Sequence, residues 1–106
     1  MRVYISGPIT GTDDYQKRFE KAEEYLRQQG YEVINPARVN GQLPELTWEE
    51  YMHISLAMLD LSDMIFMLCG WKNSSGASWE HEYASDRSIH TIYEKEEMYE
   101  QTVKKD

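Results

Sequence analysis

The sequence predicts an α/β fold, a Rossmann-like or flavodoxin-like three-layer sandwich around a parallel sheet of four or five strands. Segments typical of strands and segments with helical periodicity alternate along the chain as β-α-β-α-β-α-β. One strand segment, Met64–Leu68, is apolar throughout, as expected for a strand covered by helices on both faces. The length of 106 residues suits a single domain spanning the whole chain, residues 1–106.

The first elements are a strand, a helix and a second strand. β-branched and aromatic residues predict a strand at Arg2–Ser6, which the turn signal Gly7-Pro8 ends. Apolar side chains then recur at spacings of four, three and four, at Tyr15, Phe19, Ala22 and Leu26. Asp13 or Asp14 can cap this helix, and Gly30 stands where a helix-ending glycine belongs. The segment Tyr31–Ile34 is predicted as the second strand.

A loop and a second helix follow. Gly41 and Pro44 indicate a loop over Ala37–Leu46. Thr47 and Glu50 form a capping-box pattern that begins a helix running to Leu61. One stripe of this helix carries Trp48, Met52, Ser55, Leu56 and Leu59. The stripe predicts a core position for Trp48 and turns Ser55 inward among apolar neighbours.

The last third holds the remaining elements. After the strand at Met64–Leu68 comes a polar loop, Gly70–Gly76, and then a helix over Ala77–Arg87. A fourth strand is predicted at Ile89–Tyr93, and a charged terminal helix over Glu94–Asp106.

Composition excludes several classes of protein. The chain carries 11 basic and 19 acidic residues, a net charge of −8, so it lacks the basic footprint of a protein that binds duplex nucleic acid. The longest apolar stretch is six residues, far short of the roughly 20 that span a bilayer. A single cysteine excludes an internal disulfide, and His53, His81 and His90 show no metal-ligand spacing. We therefore expect a cytoplasmic protein with no membrane association and no metal site.

Ligands of open parallel sheets bind outside the carboxyl ends of the strands, where three loops meet: Gly7–Thr12, Pro36–Leu46 and Gly70–Ser75. The first loop is neither a P-loop nor a dinucleotide fingerprint, although its glycines permit close approach of a small ligand. The third opens a helix in which Glu80 falls about one turn from the start, beside the small residues Ala77 and Ala84. The helix dipole there favours an ionised carboxylate, as a nucleophile or oxocarbenium stabiliser requires.

Several motifs now occur together in order: Val3–Gly11, Asn35-Pro36-Ala37, Trp48 with Tyr51-Met52, Ser62–Ile65, Gly70-Trp71, and Ser74–Ala77 with Glu80 and Ala84. In this combination, over residues 2–93, the sequence resembles the nucleoside 2-deoxyribosyltransferase superfamily, in particular a small, often phage-encoded branch. The 2′-deoxynucleoside 5′-phosphate N-hydrolases belong to the same superfamily. The resemblance implies cleavage or transfer at the N-glycosidic bond of a deoxynucleoside or its 5′-monophosphate, with no cofactor, in a homo-oligomer.

The resemblance also implies roles for individual residues. Glu80 matches the catalytic glutamate that attacks or stabilises the anomeric carbon, and Tyr4 matches a tyrosine that orients it. The positions matching the substrate-binding residues of the family are Gly7, Ile9 and Gly11 in the first loop, Ser74 and Gly76 in the turn that receives the 5′ end, and Asp63. Trp71, in the polar loop, can stack on a base. For Asp63 a role as a cap of the turn before the strand stands as the alternative.

One departure keeps a second function open. Enzymes of the hydrolase type carry an aspartate eight residues before the position of Asp63, and here that place holds Ser55. A serine cannot act as a general acid near neutral pH. The alternative is therefore a nucleotide-binding protein without turnover, which sequesters a nucleotide or regulates a partner. A third possibility assigns Trp71, Trp79 and the acidic surface to a protein interface.

Overall fold

The structure, a computed structural model, describes residues 1–9 and 14–104, with the backbone alone for 101–104. Its elements are β1 (Arg2–Ser6), α1 (Tyr15–Gln28), β2 (Glu32–Ile34), α2 (Pro36–Asn40), α3 (Trp48–Asp60), β3 (Met64–Met67), a 3-10 turn (Trp71–Asn73), α4 (Ser75–Asp86), β4 (His90–Tyr93) and α5 (Glu96–Lys104). All described strand pairs are parallel, in the order β2-β1-β3-β4. The predicted α/β fold with a four-stranded parallel sheet is confirmed.

Side chains alternate across the two central strands and so feed two separate cores. On one face, Val3 and Ile5 of β1 pack with Phe19 and Leu26 of α1. On the other face, Tyr4 of β1 packs in a cluster with Leu59 of α3 and with Ala77 and Ala84 of α4. Helices thus cover both faces of the sheet, and α3 and α4 lie on the face toward which Tyr4 points.

Local signals set the helix ends as predicted at two places. The Thr47 hydroxyl accepts a hydrogen bond from Glu50 N (3.2 Å), and the Glu50 carboxylate accepts one from Thr47 N (2.8 Å), which completes the capping box. Gly30 follows the C-cap of α1 with φ +92°, a conformation that suits glycine. Asp14 is the N-cap residue of α1 but its side chain makes no capping bond, and Asp13 lies outside the described residues.

Two predicted loops contain helical structure. The loop predicted over Ala37–Leu46 begins with the helix α2, because Asn35 caps it, accepting hydrogen bonds from Ala37 N (3.1 Å) and Arg38 N (3.3 Å). Pro36 occupies the first helical position, where its missing N–H costs nothing. The helix α4 begins at Ser75, two residues earlier than predicted, because the Ser74 hydroxyl caps it by accepting from Ala77 N (3.2 Å).

No helix in the described part of the chain is long and apolar enough to cross a membrane.

Candidate active site

Glu80 lies at the centre of a buried hydroxyl cluster. Its side chain is 6% exposed, and each carboxylate oxygen accepts a hydrogen bond from β1. Tyr4 Oη donates to Oε2 at 2.6 Å, and Ser6 Oγ donates to Oε1 at 2.5 Å. Ser55, buried on α3, lies close enough to Tyr4 and Glu80 to influence the pKa of both side chains. The two hydrogen bonds from β1 hold the carboxylate from an element other than its own helix.

The pleat of β1 explains why two of these donors come from one strand. Residues two apart on a strand face the same side of a sheet, so Tyr4 and Ser6 both point toward α4. Tyr4 was predicted as a site residue and Ser6 was not, although the alternation of side chains along β1 indicates Ser6 as well. The inward position of Ser55 is confirmed.

Burial governs the titration of the cluster. Burial raises the pKa of Glu80, and the hydrogen bonds from Ser6, Tyr4 and Ser55, which favour the ionised form, offset only part of that rise. Burial and the neighbouring charge of Glu80 raise the pKa of Tyr4 well above its ordinary value. Tyr4 therefore stays a protonated donor near neutral pH.

The helix-dipole argument for an ionised Glu80 needs correction. Since α4 begins at Ser75, Glu80 stands in its second turn, and the dipole effect fades beyond the first turn. The hydroxyl donors, rather than the dipole, are what favour the carboxylate form.

A cavity of about 600 Å³ opens beside Glu80 at the carboxyl end of β1. That volume is in the range typical of small-molecule sites. Its wall contains aromatic residues from several elements, namely Tyr4, Tyr15, Phe19, Trp48 and Tyr51. The site thus combines one carboxyl group with aromatic surface on which a ring can stack.

Most of the residues predicted to bind substrate reach this cavity. Gly7, Ile9, Ser74 and Gly76 all line it. Gly11 lies outside the described residues.

Two glycines of the cavity wall, Gly7 and Gly76, stand where space is short. A Cβ at Gly7 would lie 2.8 Å from Leu68 Cβ, so the backbone of the first loop sits directly against the end of β3. A Cβ at Gly76 would lie 3.3 Å from Met52 Sδ and 4.0 Å from Trp48 Nε1, where α4 approaches α3.

Trp71 does not line the cavity, and the predicted stacking on a base has no support from its position. Its indole stacks on the His81 ring instead, with centroids 4.2 Å apart, and packs against the core cluster under α4. The tryptophan in the cavity wall is Trp48, which is 44% exposed. The predicted core position of Trp48 is wrong, because the first turn of α3 extends beyond the core toward the cavity.

Asp63 is also away from the cavity. It precedes β3, at the opposite end of that strand from the cavity, and its Oδ2 accepts a hydrogen bond from Arg2 N at 2.9 Å. This bond ties the turn before β3 to the start of β1, which differs from the cap of its own turn that stood as the alternative.

Among residues 1–9 and 14–104, no group of three or more His, Cys, Asp or Glu side chains is placed to hold a metal ion. The chemistry of the described cavity is that of Glu80 and its hydroxyl donors. A carboxylate held in this way can attack an electrophilic carbon or stabilise a cation formed beside it.

Comparisons with known proteins agree with this architecture. The sequence matches the family described as "Domain of unknown function (DUF4406)" over residues 1–93, and the chain belongs to that family. A solved structure of a 2-deoxyribosyltransferase from the psychrotolerant bacterium Bacillus psychrosaccharolyticus is similar, with a TM-score of 0.69 and 22% sequence identity. The match covers 88% of this chain and 71% of that one. A search of curated proteins gave no match. The predicted deoxyribosyltransferase-like fold is thus confirmed.

Proposed function

We propose that this protein cleaves or transfers the N-glycosidic bond of a deoxynucleoside or a deoxynucleoside 5′-monophosphate. The observation that carries the proposal is the pair of hydrogen bonds from Tyr4 and Ser6 to the Glu80 carboxylate, at the edge of a nucleoside-sized cavity. The fold shared with a 2-deoxyribosyltransferase supports it.

In the proposed reaction an oxygen of Glu80 attacks C1′ of the sugar. A C1′–O bond forms while the C1′–N bond breaks, and its electron pair leaves with the base, which takes a proton from water. Water or a second base then attacks C1′ and releases the carboxylate. Water completes a hydrolysis, and a base completes a transfer.

Other residues position the substrate. The hydroxyls of Tyr4 and Ser6 hold the Glu80 carboxylate in place, and their hydrogen bonds stabilise its negative charge. The Ser74–Gly76 turn receives the 5′ end of the sugar, and the first loop, with Gly7 and Ile9, lies under the nucleotide. Trp48, rather than Trp71, supplies a surface for the base.

The second candidate is a nucleotide-binding protein without turnover. Ser55 favours it, because its hydroxyl contacts Tyr4 and Glu80 at the place where a carboxylic acid would serve the leaving base.

An exposed aromatic pair beside the cavity, Trp48 and Trp79 with ring centroids 6.0 Å apart, offers a surface for the homo-oligomer that we also propose.

The deciding experiment measures free base released from a panel of deoxynucleosides and their 5′-monophosphates by chromatography. Glu80→Gln, which keeps the size of the side chain, is the matched variant, and light scattering on the same samples gives the oligomeric state. Release that disappears in Glu80→Gln supports the enzyme. Absence of release, together with saturable binding of one ligand, supports the binding protein. An unchanged rate in Glu80→Gln contradicts the role of Glu80.

A further inference from the structure

The short helix α2 borders two separate open spaces. Its segment contributes four residues to the wall of the cavity beside Glu80, namely Pro36, Ala37, Asn40 and Gly41. A smaller cleft of about 190 Å³ lies between α1 and α2, and Ala37 and Gly41 line this cleft as well. A helix of five residues has little stability of its own, and only Pro36 and Ala37 of α2 are buried. The position of α2, and with it the width of the cavity, therefore depends on contacts with neighbouring elements.

A buried carboxylate on α1, that of Glu23, supplies such contacts. Asn35, the N-cap residue of α2, donates from Nδ2 to Glu23 Oε1 at 3.0 Å. The guanidinium of Arg38, on α2 itself, lies across both oxygens, with Nη1 3.4 Å from Oε2 and Nη2 3.3 Å from Oε1. A two-point pairing of this kind fixes the orientation of the partners as well as their distance. Glu23 thus joins α2 to α1.

The charge of Glu23 makes this connection hard to break. The residue is 5% exposed. Burial alone would raise its pKa, but the hydrogen bonds from Asn35 and Arg27 and the charges of Arg38 and Arg27 lower it, so the carboxylate is ionised at neutral pH. A buried charge is costly to leave without partners. A shift of α2 away from Glu23 would remove part of its compensation.

We propose that Glu23 is a positioning residue of the site, which fixes α2 as a wall of the cavity through Asn35 and Arg38 and so sets the affinity for the nucleoside. This inference rests on the proposed function. Glu23 lies outside the described wall of the cavity, so it acts through α2. The two hydrogen bonds that hold the Glu80 carboxylate come from β1, so a displaced α2 weakens binding and spares the chemical step.

Arg27 and Arg38 provide a matched pair of substitutions. Both arginines pair with the same carboxylate, and their side chains are 55% and 58% exposed. Arg38 lies on α2, whereas Arg27 lies on α1, one helical turn after Glu23. Arg38→Met therefore breaks a contact between the two helices, and Arg27→Met breaks one within α1. The two variants have the same net charge.

The first measurement is calorimetric titration with 2′-deoxyadenosine, 2′-deoxycytidine and their 5′-monophosphates, in a Glu80→Gln background so that the bound ligand is not consumed. We expect Arg38→Met to weaken binding roughly five- to twentyfold and Arg27→Met to weaken it by less than about twofold. Both should lower the midpoint of urea unfolding by similar amounts, because each removes one cation from the buried Glu23.

The kinetics of base release give a second comparison, made with Glu80 intact. In Arg38→Met, KM should rise while kcat stays within about twofold of the unaltered chain. In Arg27→Met, both constants should stay within about twofold.

The third measurement, amide hydrogen exchange, needs no ligand. The N–H groups of Val39 and Gly41 are hydrogen-bonded within the α2 segment at 3.2 Å. Their exchange should be faster in Arg38→Met than in Arg27→Met, because only the first variant loosens α2. The amide of Ser78, bonded within α4 at 2.9 Å, should keep its rate in both.

Three results overturn the inference. Equal losses of affinity in the two variants would show that binding follows the stability of the fold and not the position of α2. Equal exchange of the α2 amides in the two variants would show that Arg38 and Glu23 do not hold this helix, even where nucleosides bind. If none of the four ligands binds the unaltered chain, the proposed function fails and the claim on affinity fails with it, while faster exchange in Arg38→Met would still confirm the contact between Glu23 and α2.

Discussion

The phenol of Tyr4 donates a 2.6 Å hydrogen bond to Oε2 of Glu80, a residue 76 positions later in the chain. Tyr4 lies on a central strand and Glu80 on a helix that packs over it, so the bond forms only when the sheet and α4 have come together. Ser6 repeats the relationship on the other carboxylate oxygen. The Glu80 carboxylate is thus fixed by the scaffold of the fold rather than by the loops around it.

Ser6→Ala should shift the pH dependence of the reaction. The Ser6 hydroxyl favours the ionised form of Glu80, so its removal raises the pKa of that carboxyl further. Because the ionised form reacts, the acid limb of the rate profile moves to higher pH, and the rate at neutral pH falls roughly three- to tenfold. Rates of base release across a pH series measure the shift.

Ser62→Ala is the matched control for that series. Ser62, which lies just before β3, is also buried, but its hydroxyl donates to Met58 O at 3.1 Å and not to Glu80. Its loss should leave the acid limb in place. Equal profiles for Ser6→Ala and the unaltered chain would show that Ser6 does not tune Glu80.

Glu80→Gln should stabilise the fold at neutral pH. The folded-state pKa of Glu80 is raised above 4.5, the value of an exposed carboxyl. A group of this kind stabilises the fold fully below its unfolded pKa, and that stability is lost as the pH rises through the folded pKa. The neutral amide avoids this loss, so the midpoint of thermal unfolding rises at neutral pH and the advantage disappears below about pH 4.

Glu23→Gln should have the opposite effect. Burial alone would raise the pKa of Glu23, but hydrogen bonds from Asn35 and Arg27 and the charges of Arg38 and Arg27 outweigh it and lower the pKa. Its stabilisation is present above 4.5 and is lost as the pH falls through the folded pKa. We expect Glu23→Gln to lower the free energy of unfolding by about 2 kcal/mol at neutral pH. The midpoints of thermal unfolding of Glu80→Gln and Glu23→Gln should diverge as the pH rises. Midpoints that change in parallel would contradict the pKa directions given for both glutamates.

Substitutions at Trp48 and Trp71 should separate ligand binding from the stability of the fold. Trp48→Leu removes an exposed aromatic wall of the cavity, so nucleoside affinity falls roughly tenfold with little change in unfolding. Trp71→Leu removes the stack on His81 and core contacts, so the free energy of unfolding falls by about 2 kcal/mol while affinity is kept. Calorimetric titration and urea unfolding of both proteins test the pair, and an affinity loss confined to Trp71→Leu would restore Trp71 as the stacking residue.

Alanine at Gly7 and alanine at Gly76, two glycines of the cavity wall, should also give contrasting results. At Gly7 the new methyl group meets Leu68 Cβ, which is fixed to the backbone, and the fold loses roughly 1–3 kcal/mol. At Gly76 it meets the end of the flexible Met52 side chain, so stability changes by less than about 1 kcal/mol while the methyl narrows the cavity and weakens binding. Unfolding and ligand titration of the two variants distinguish these effects, and a large stability loss in Gly76→Ala would contradict the geometry.

Local chemistry made much of the fold predictable. The apolar run at Met64–Leu68 and the capping box at Thr47 depend on near neighbours in sequence, and both are confirmed. The helix α2 was missed, although asparagine followed by proline is a good start for a helix as well as an end for a strand. The choice between those two meanings depends on the contact of Asn35 with Glu23, which is tertiary.

The site residues that could be predicted are those indicated by a family motif or by the periodicity of an element. Glu80 and Tyr4 came from motifs, and their contact is present. The presence of Trp48, rather than Trp71, in the cavity wall was not predictable, because it depends on how far α3 extends past the sheet and on where His81 lies.

Tyr4 and Ser6, which donate hydrogen bonds to the Glu80 carboxylate, lie on a central strand, and this has an evolutionary consequence. β1 is hydrogen-bonded on both sides, to β2 and to β3, and is covered by helices on both faces, so its residues have little freedom to drift. The walls that meet the rest of a ligand come instead from helix ends and loops, at Trp48, Asn40 and the Ser74–Gly76 turn. Related proteins can change their ligand by substitutions in those walls while the Glu80 carboxylate keeps its two donors on β1.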